Sequence, residues 1–369
     1  MRYFQRFVIV LTKKKFKSEK LMMQKNDIKH LLISRTDNIG DVILTLPLVG
    51  ILKQQFPEMK ISFLGREYVR AIIEHCADID SFFSYDALTH LSKEDAIAQI
   101  KAHAFDAVIH AFPNKPIALL MKQAGVHNRI GTSHRLYHWW TCNARVNFSR
   151  AKSDEHEAQL NLKLLKPFHI ETTDNLERLG EYLGLQCKDQ LPPHLKSLLK
   201  TDRFNLIVHP FTNGHAREWP VSHFNALIRQ LPKERVHVIV TGSQKESVVI
   251  QDRMLSQCPD ITNVAGQCSL RELVQLIANS DGLVANSTGP LHIAAALGIH
   301  ALGLFPITKG MDPKRWGPIG KKAEVLTANP ECQSPRCRHK QDCLCMESIT
   351  VDQVKAVILS WEKNASNVF

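Results

Sequence analysis

The sequence predicts an α/β protein made of two successive halves, each built on a parallel sheet. Three observations carry this. The chain has 369 residues, and at roughly 100–200 residues per domain that length suits two domains. Short apolar runs alternate with helical segments, the pattern of βαβ units. The alternation pauses over 184–203, where Pro192-Pro193 stands among Lys196, Lys200 and Asp202, and then begins again. The predicted organisation is a tail over 1–29, an N-terminal domain over 30–183, a linker over 184–203, a C-terminal domain over 204–349, and a final helix and tail over 350–369.

Each element has a local reason. His30-Leu31-Leu32-Ile33-Ser34 is a short buried strand, followed by the polar turn Arg35-Thr36-Asp37-Asn38-Ile39-Gly40. A helical stretch runs from Asp41 to Gln55, where Pro47 predicts a kink or a late helix start. Lys60 to Leu64 and Ala107 to His110 are the next strands. In the second half Asn205–His209, Val236–Val240, Leu283–Ala285 and Ala301–Phe305 are strands. Ser269-Leu270-Arg271-Glu272 and Thr350-Val351-Asp352-Gln353 are capping boxes that open helices.

Composition narrows the function classes. With 44% hydrophobic and 22% charged residues, the chain is neither disordered nor collagen-like nor a small disulfide scaffold. It has no 18-residue apolar run of the kind that spans a bilayer. The net charge of +11 suggests a polyanion partner, but nine Lys/Arg against two acids put +7 of it in residues 1–29. The other 340 residues carry only +4, which argues against nucleic acid. In the tail, Phe4, Phe7, Ile9 and Leu11 precede Lys13-Lys14-Lys15. That pattern suits an anionic membrane surface, and a plain leader remains the alternative. Nine cysteines without an even framework point to a reducing cytosol.

Four constellations can carry chemistry. Arg35 to Asp41 follows the first strand, at the strand end where α/β sheets bind ligands. Gly40 permits a tight turn, and Asp41 either takes a proton from a hydroxyl or caps the helix. His209 to Pro220 places Arg217 before Trp219-Pro220, where the guanidinium meets a phosphate or packs on the indole. Asn286-Ser287-Thr288-Gly289-Pro290-Leu291-His292 joins a strand to an apolar helix and forms either an anion site or an ordinary cap. Cys332, Cys337, Cys343 and Cys345 leave zinc, a disulfide and free thiols open. Dinucleotide and P-loop fingerprints are absent.

Taken together, Ser34 to Val42 with Thr45-Leu46-Pro47, Arg217-Glu218-Trp219-Pro220 and Asn286 to Gly298 resemble the ADP-heptose:lipopolysaccharide heptosyltransferases, glycosyltransferase family 9. Asn128-Arg129-Ile130-Gly131, His156-Glu157 and Cys343 to Ile349 extend the resemblance over about 30–360. It implies a GT-B fold: two Rossmann-like domains facing a cleft, with the C-terminal helix crossing back to the N-terminal domain. It implies an inverting, metal-independent transfer without a cofactor. The donor would be a nucleotide-sugar such as ADP-heptose, and the acceptor a lipid-linked saccharide on the cytoplasmic face of the bacterial inner membrane. By the same resemblance Asp41 is the general base, Arg217 meets the diphosphate, and Thr212 and Asn213 contact phosphate or ribose. Ser287, Thr288, Gly289 and His292 form the donor loop, Gln244 and Cys268 line the nucleoside pocket, and Arg35 and Gly40 shape the acceptor-side turn. Ser287 stands where several heptose-using members carry Asp. A family 9 transferase with another donor or surface glycan, a different GT-B enzyme such as a sugar-nucleotide epimerase, and a non-catalytic nucleotide-sugar binder are the alternatives.

Overall fold

The computed structural model describes residues 28–173, 175–212, 214, 216–329 and 344–366, with side chains of the last helix to Trp361. The basic tail over 1–27, Asn213, Cys332, Cys337 and Cys343 lie outside the described residues.

Among the described residues, twelve strands form two parallel sheets. The first holds β1 (His30–Ser34), β2 (Lys60–Gly65), β3 (Ser81–Ser84), β4 (Ala107–His110), β5 (Asn128–Thr132) and β6 (Ala144–Val146). The second holds β7 (Phe204–His209), β8 (Val236–Val240), β9 (Thr262–Asn263), β10 (Gly282–Asn286), β11 (His300–Phe305) and β12 (Ala323–Thr327). The orders are β3-β2-β1-β4-β5-β6 and β12-β11-β10-β7-β8-β9. Both are the same doubly wound path: three strands in one direction, then a return past the first strand. The switch points lie between β1 and β4 and between β7 and β10, and α/β sheets bind ligands at such points. Leu31 pairs with Ile61 on one side and Ala107 on the other, which makes β1 a central strand.

Strand alternation divides the core. Leu31 and Ile33 join one apolar cluster while Leu32 joins another on the opposite face; Ile207 separates from Leu206 and Val208 in the same way. The cluster containing Leu31 and Ile33 also contains Ile207, Leu283 and Ile293, so apolar packing is continuous from one half to the other. Pro47 falls in the first turn of a separate helix, Leu46–Gln55, after a short helix Ile39–Ile43. The break is where a missing N–H and a fixed φ cost least.

One expectation is corrected. The final helix, Val351–Ser366, packs on the C-terminal half rather than crossing back. Val354, Ile358 and Trp361 form an apolar stripe against Phe204 and Phe224. The Trp361 ring stacks on His300 with centroids 5.0 Å apart, and its Nε1 donates to Glu324 at 2.7 Å. These spacings match the groove beside helix Val221–Gln230, which lies in the same half. Among the described residues no helix is long and apolar enough to cross a membrane.

Candidate functional site

A cleft of about 520 Å³ opens where the two switch points face each other. The N-terminal half lines it with Asn38, Ile39, Gly40, Asp41 and Tyr68, and the C-terminal half with residues that include Thr212, Ser287, Thr288, Gly289 and His292. The halves touch closely here. A Cβ on Gly40 would stand 2.8 Å from His292 Cδ2, and one on Gly289 would stand 2.9 Å from Ile39 Cβ. Only glycine allows the helices Ile39–Ile43 and Gly289–Leu297 to meet at this distance.

Asp41 stands in the first turn of its helix, and its carboxylate also reaches back to the Asn38 N–H at 3.3 Å. Its main partner is the Arg35 guanidinium, which is fully buried. Arg35 Nη2 donates to Asp41 at 2.6 Å, Nε to Asp37 at 2.7 Å and Nη1 to Glu157 at 2.8 Å. Burial pushes the Asp37 carboxyl up to about 6, against the pull of Arg35 and with the help of Asp41. Glu157 has no exposed surface and receives three arginines. Oε1 accepts from Arg35 and from Arg150, the latter at 2.9 Å, and Oε2 accepts from Arg315 at 2.6 Å. Burial alone would raise Glu157, but the three cations hold it at about 2. Arg315 comes from the C-terminal half, so this cluster ties the opposite wall of the cleft to the group that orients Asp41.

A second tie runs beside it. His156 Nε2 is 3.0 Å from the Gly317 carbonyl, which can only accept, so Nε2 carries the proton. Nδ1 then accepts from the Ala158 N–H at 3.3 Å. Burial lowers His156 to about 4 and His292 to about 3, so both rings are neutral near pH 7.

The wall from the C-terminal half is held by side-chain staples. Asn286 Oδ1 accepts the Trp219 N–H at 2.8 Å while its Nδ2 donates to the Pro210 carbonyl at 2.6 Å. Glu218 Oε1 accepts from both the N–H and the hydroxyl of Thr212, at 2.8 and 2.9 Å. Helix Gly289–Leu297 begins with Pro290 in its first turn and Thr288 as its N-cap. Thr288 Oγ1 is buried and has no hydrogen-bond partner among the described residues. The free N–H groups and the helix dipole give this wall an anion-binding character.

Of the residues singled out from sequence, Gly40, Asp41, Thr212, Ser287, Thr288, Gly289 and His292 come together in the cleft. Arg217, Gln244 and Cys268 do not line it. Arg217 is buried, with Nη1 3.2 Å from Cys345 Sγ. Gln244 lies against Gly266 at the end of β8, one strand away from β7. Sequence reasoning missed Tyr68, whose hydroxyl donates to the Asp37 carbonyl at 2.6 Å, along with Trp316 and the Arg150–Glu157–Arg315 cluster. Glu157 stands at the start of the short, mostly buried helix Glu157–Leu162, where an acid reads as a simple helix-end charge. Among the described residues, no three His, Cys, Asp or Glu side chains are grouped to hold a metal ion.

Comparisons with known proteins bear on the fold and the family. The family model for glycosyltransferase family 9 (heptosyltransferase) matches residues 95–346. The lipooligosaccharide heptosyltransferase 2 of Haemophilus influenzae is 32% identical over 320 residues, which cover 80% of this chain and 88% of that protein. The fold is that of a family 9 glycosyl transferase from Veillonella parvula, with a TM-score of 0.76 at 17% identity over 91% of this chain and 97% of that one. It is also that of the Escherichia coli ADP-heptose lps heptosyltransferase II, with a TM-score of 0.71 at 19% identity over 92% of this chain and all of the other. The chain belongs to glycosyltransferase family 9, the family of the heptosyltransferases.

Proposed function

We propose that this enzyme transfers a heptose from ADP-heptose to a hydroxyl of a lipopolysaccharide inner-core acceptor, with inversion and without a divalent metal. The observation that carries the reading is the Asp41 carboxylate, held by Arg35 at 2.6 Å on the cleft wall opposite the start of helix Gly289–Leu297. The acceptor hydroxyl gives its proton to Asp41 as its oxygen attacks the anomeric carbon. The bond from that carbon to the diphosphate breaks, and the departing ADP gains charge. The helix N-terminus, Thr288 and Ser287 meet that charge, since preorganised donors stabilise developing anions best in a closed site. The N-terminal half takes the acceptor and the C-terminal half the donor, with Gln244 and Cys268 toward the nucleoside. Arg217, on the loop after β7, supplies positive charge toward the diphosphate. Residues 1–29 hold the enzyme on the cytoplasmic face of an anionic membrane.

Ser287 supports a second reading, a family 9 transferase with another nucleotide-sugar, because it offers a neutral hydroxyl at the donor loop. One experiment separates the two. The protein is incubated with a panel of ADP- and other nucleotide-sugars and with Kdo–lipid A acceptors, and the product mass and anomeric configuration are measured, with and without EDTA. A heptose-sized increment with inverted configuration, unchanged by EDTA, is the expected result. Transfer from another donor alone selects the second reading, and consumption of donor without acceptor overturns both.

A further inference from the structure

Three of the large apolar side chains most exposed among the described residues fall within five positions: Leu136 at 77%, Trp139 at 59% and Trp140 at 48%. They stand on the segment between β5 and β6, around the one-turn helix His138–Thr141. This is a built surface. His138 and Thr141 are buried beneath it, with His138 Nδ1 2.9 Å from the Thr132 carbonyl. Trp139 Nε1 donates to the Ser133 carbonyl at 3.0 Å, so the indole has its polar atom satisfied while the residue stays 59% exposed. The Arg145 guanidinium lies 5.0 Å from the Trp139 ring centroid, and its Nη1 donates to the Cys142 carbonyl at 2.7 Å.

The surrounding charge has one sign. Residues 107–153 contain seven Lys/Arg and no Asp or Glu. Among the seven, Lys115, Lys122, Arg135, Arg145 and Lys152 are exposed, and helix Lys115–Gln123 lies beside the tryptophans. We propose that Leu136, Trp139 and Trp140, set between Arg135 and Arg145, form a docking surface for an anionic lipid bilayer, separate from residues 1–29. Tryptophan and leucine enter the boundary between headgroup and acyl chain, and arginine remains with the phosphates. A second copy is a poor occupant, because a two-fold contact would bring each patch's arginines against their equivalents. Residues 1–27 are a poor occupant as well, since they carry eight Lys/Arg against Glu19 and Asp27. The patch follows β5 on the same sheet edge as the Arg35–Asp41 turn that follows β1. The strands they follow, β1 and β5, are two strand spacings apart, about 10 Å. Docking there would hold a membrane-embedded acceptor beside the cleft; this last step rests on the function proposed above.

The test uses the full chain, with vesicles of phosphatidylglycerol and phosphatidylethanolamine made with and without brominated acyl chains, and with phosphatidylcholine vesicles for comparison. Neither donor nor acceptor is present, so the outcome is independent of glycosyl transfer. Trp219 and Trp361 are buried and Trp316 lines the cleft, so bromine quenching reports on Trp139 and Trp140. Quenching by anionic vesicles is expected, and it should vanish in W139F/W140F while sedimentation with vesicles persists. Leu136→Ser combined with Arg135→Glu, both at exposed positions, should lower partitioning roughly tenfold or more with an unchanged melting temperature. Sedimentation without quenching would assign binding to residues 1–29 and overturn the proposal. So would equal binding to neutral vesicles, or a lipid-free complex, with itself or with an acidic protein, that Leu136→Ser dissolves.

Discussion

Glu157→Gln isolates the bond between the halves with almost no change of shape. Glu157 Oε1 has two arginine donors, Arg35 and Arg150, while Oε2 has Arg315 alone. A carboxamide at this position keeps its oxygen where two donors wait and turns its NH₂ toward Arg315. The bond to the C-terminal half is then lost, and one positive charge is left unbalanced inside. The magnitude follows from the carboxyl's position at about 2, against an ordinary 4.5. At roughly 1.4 kcal/mol per tenfold, ionised Glu157 contributes about 3 kcal/mol to stability. That agrees with the roughly 3–5 kcal/mol lost when one partner of a buried ion pair is removed. The sign is that of a depressed acid: the contribution is complete above pH 4.5 and is lost as pH falls toward 2. Urea unfolding of wild type and Glu157→Gln at pH 7 should differ by about 3 kcal/mol. The difference should shrink by about 1 kcal/mol at pH 4 and by about 2 at pH 3. A difference below about 1 kcal/mol at pH 7, or one that does not change with pH, refutes the reasoning.

Asp41→Asn should slow transfer by about 10²–10⁴ with ADP affinity retained, read by steady-state kinetics and calorimetry; wild-type turnover would remove Asp41 from the chemistry. Gly40→Ala puts a methyl 2.8 Å from His292 Cδ2 and should cost about 1–3 kcal/mol, seen as a lower melting temperature and slower transfer. If both stay at the wild-type level, the two halves do not meet there. Trp219→Phe removes the 2.8 Å bond to the Ile349 carbonyl and leaves that acceptor buried, so the urea midpoint should fall by about 1–3 kcal/mol in free-energy terms. An unchanged midpoint would mean that the C-terminal segment is held by apolar contacts alone.

The central strands were legible because they are buried on both faces and read as apolar runs; Ala107–His110 and Val236–Val240 were found to the residue. The strands left unread are mostly outer or short. Ala323–Thr327 is largely exposed, Asn128–Thr132 mixes Arg129 and Gly131 into a turn-like string, and Thr262–Asn263 is two residues long. The partner of the last helix is illegible in the sequence for a different reason. Its apolar stripe states that a partner exists, but the choice of partner depends on the faces of Phe204 and Phe224, which no local pattern encodes. Arg217 shows what a motif leaves open: a cation before Trp-Pro reads as a phosphate ligand or as a packed side chain, and the contact of its Nη1 with Cys345 Sγ, 128 positions away, is in no local pattern.

The ion cluster marks where sequence reading ends on principle. Arg35 and Glu157 are 122 positions apart, and Glu157 and Arg315 are 158 apart. Each alone resembles a surface charge. Assembled, Arg35, Arg150 and Arg315 are matched in number by Asp37, Asp41 and Glu157, which is what makes their burial tolerable. The balance depends on both halves, because Arg315 comes from the C-terminal half. The orientation of the carboxylate at the cleft is therefore coupled to the position of the opposite wall.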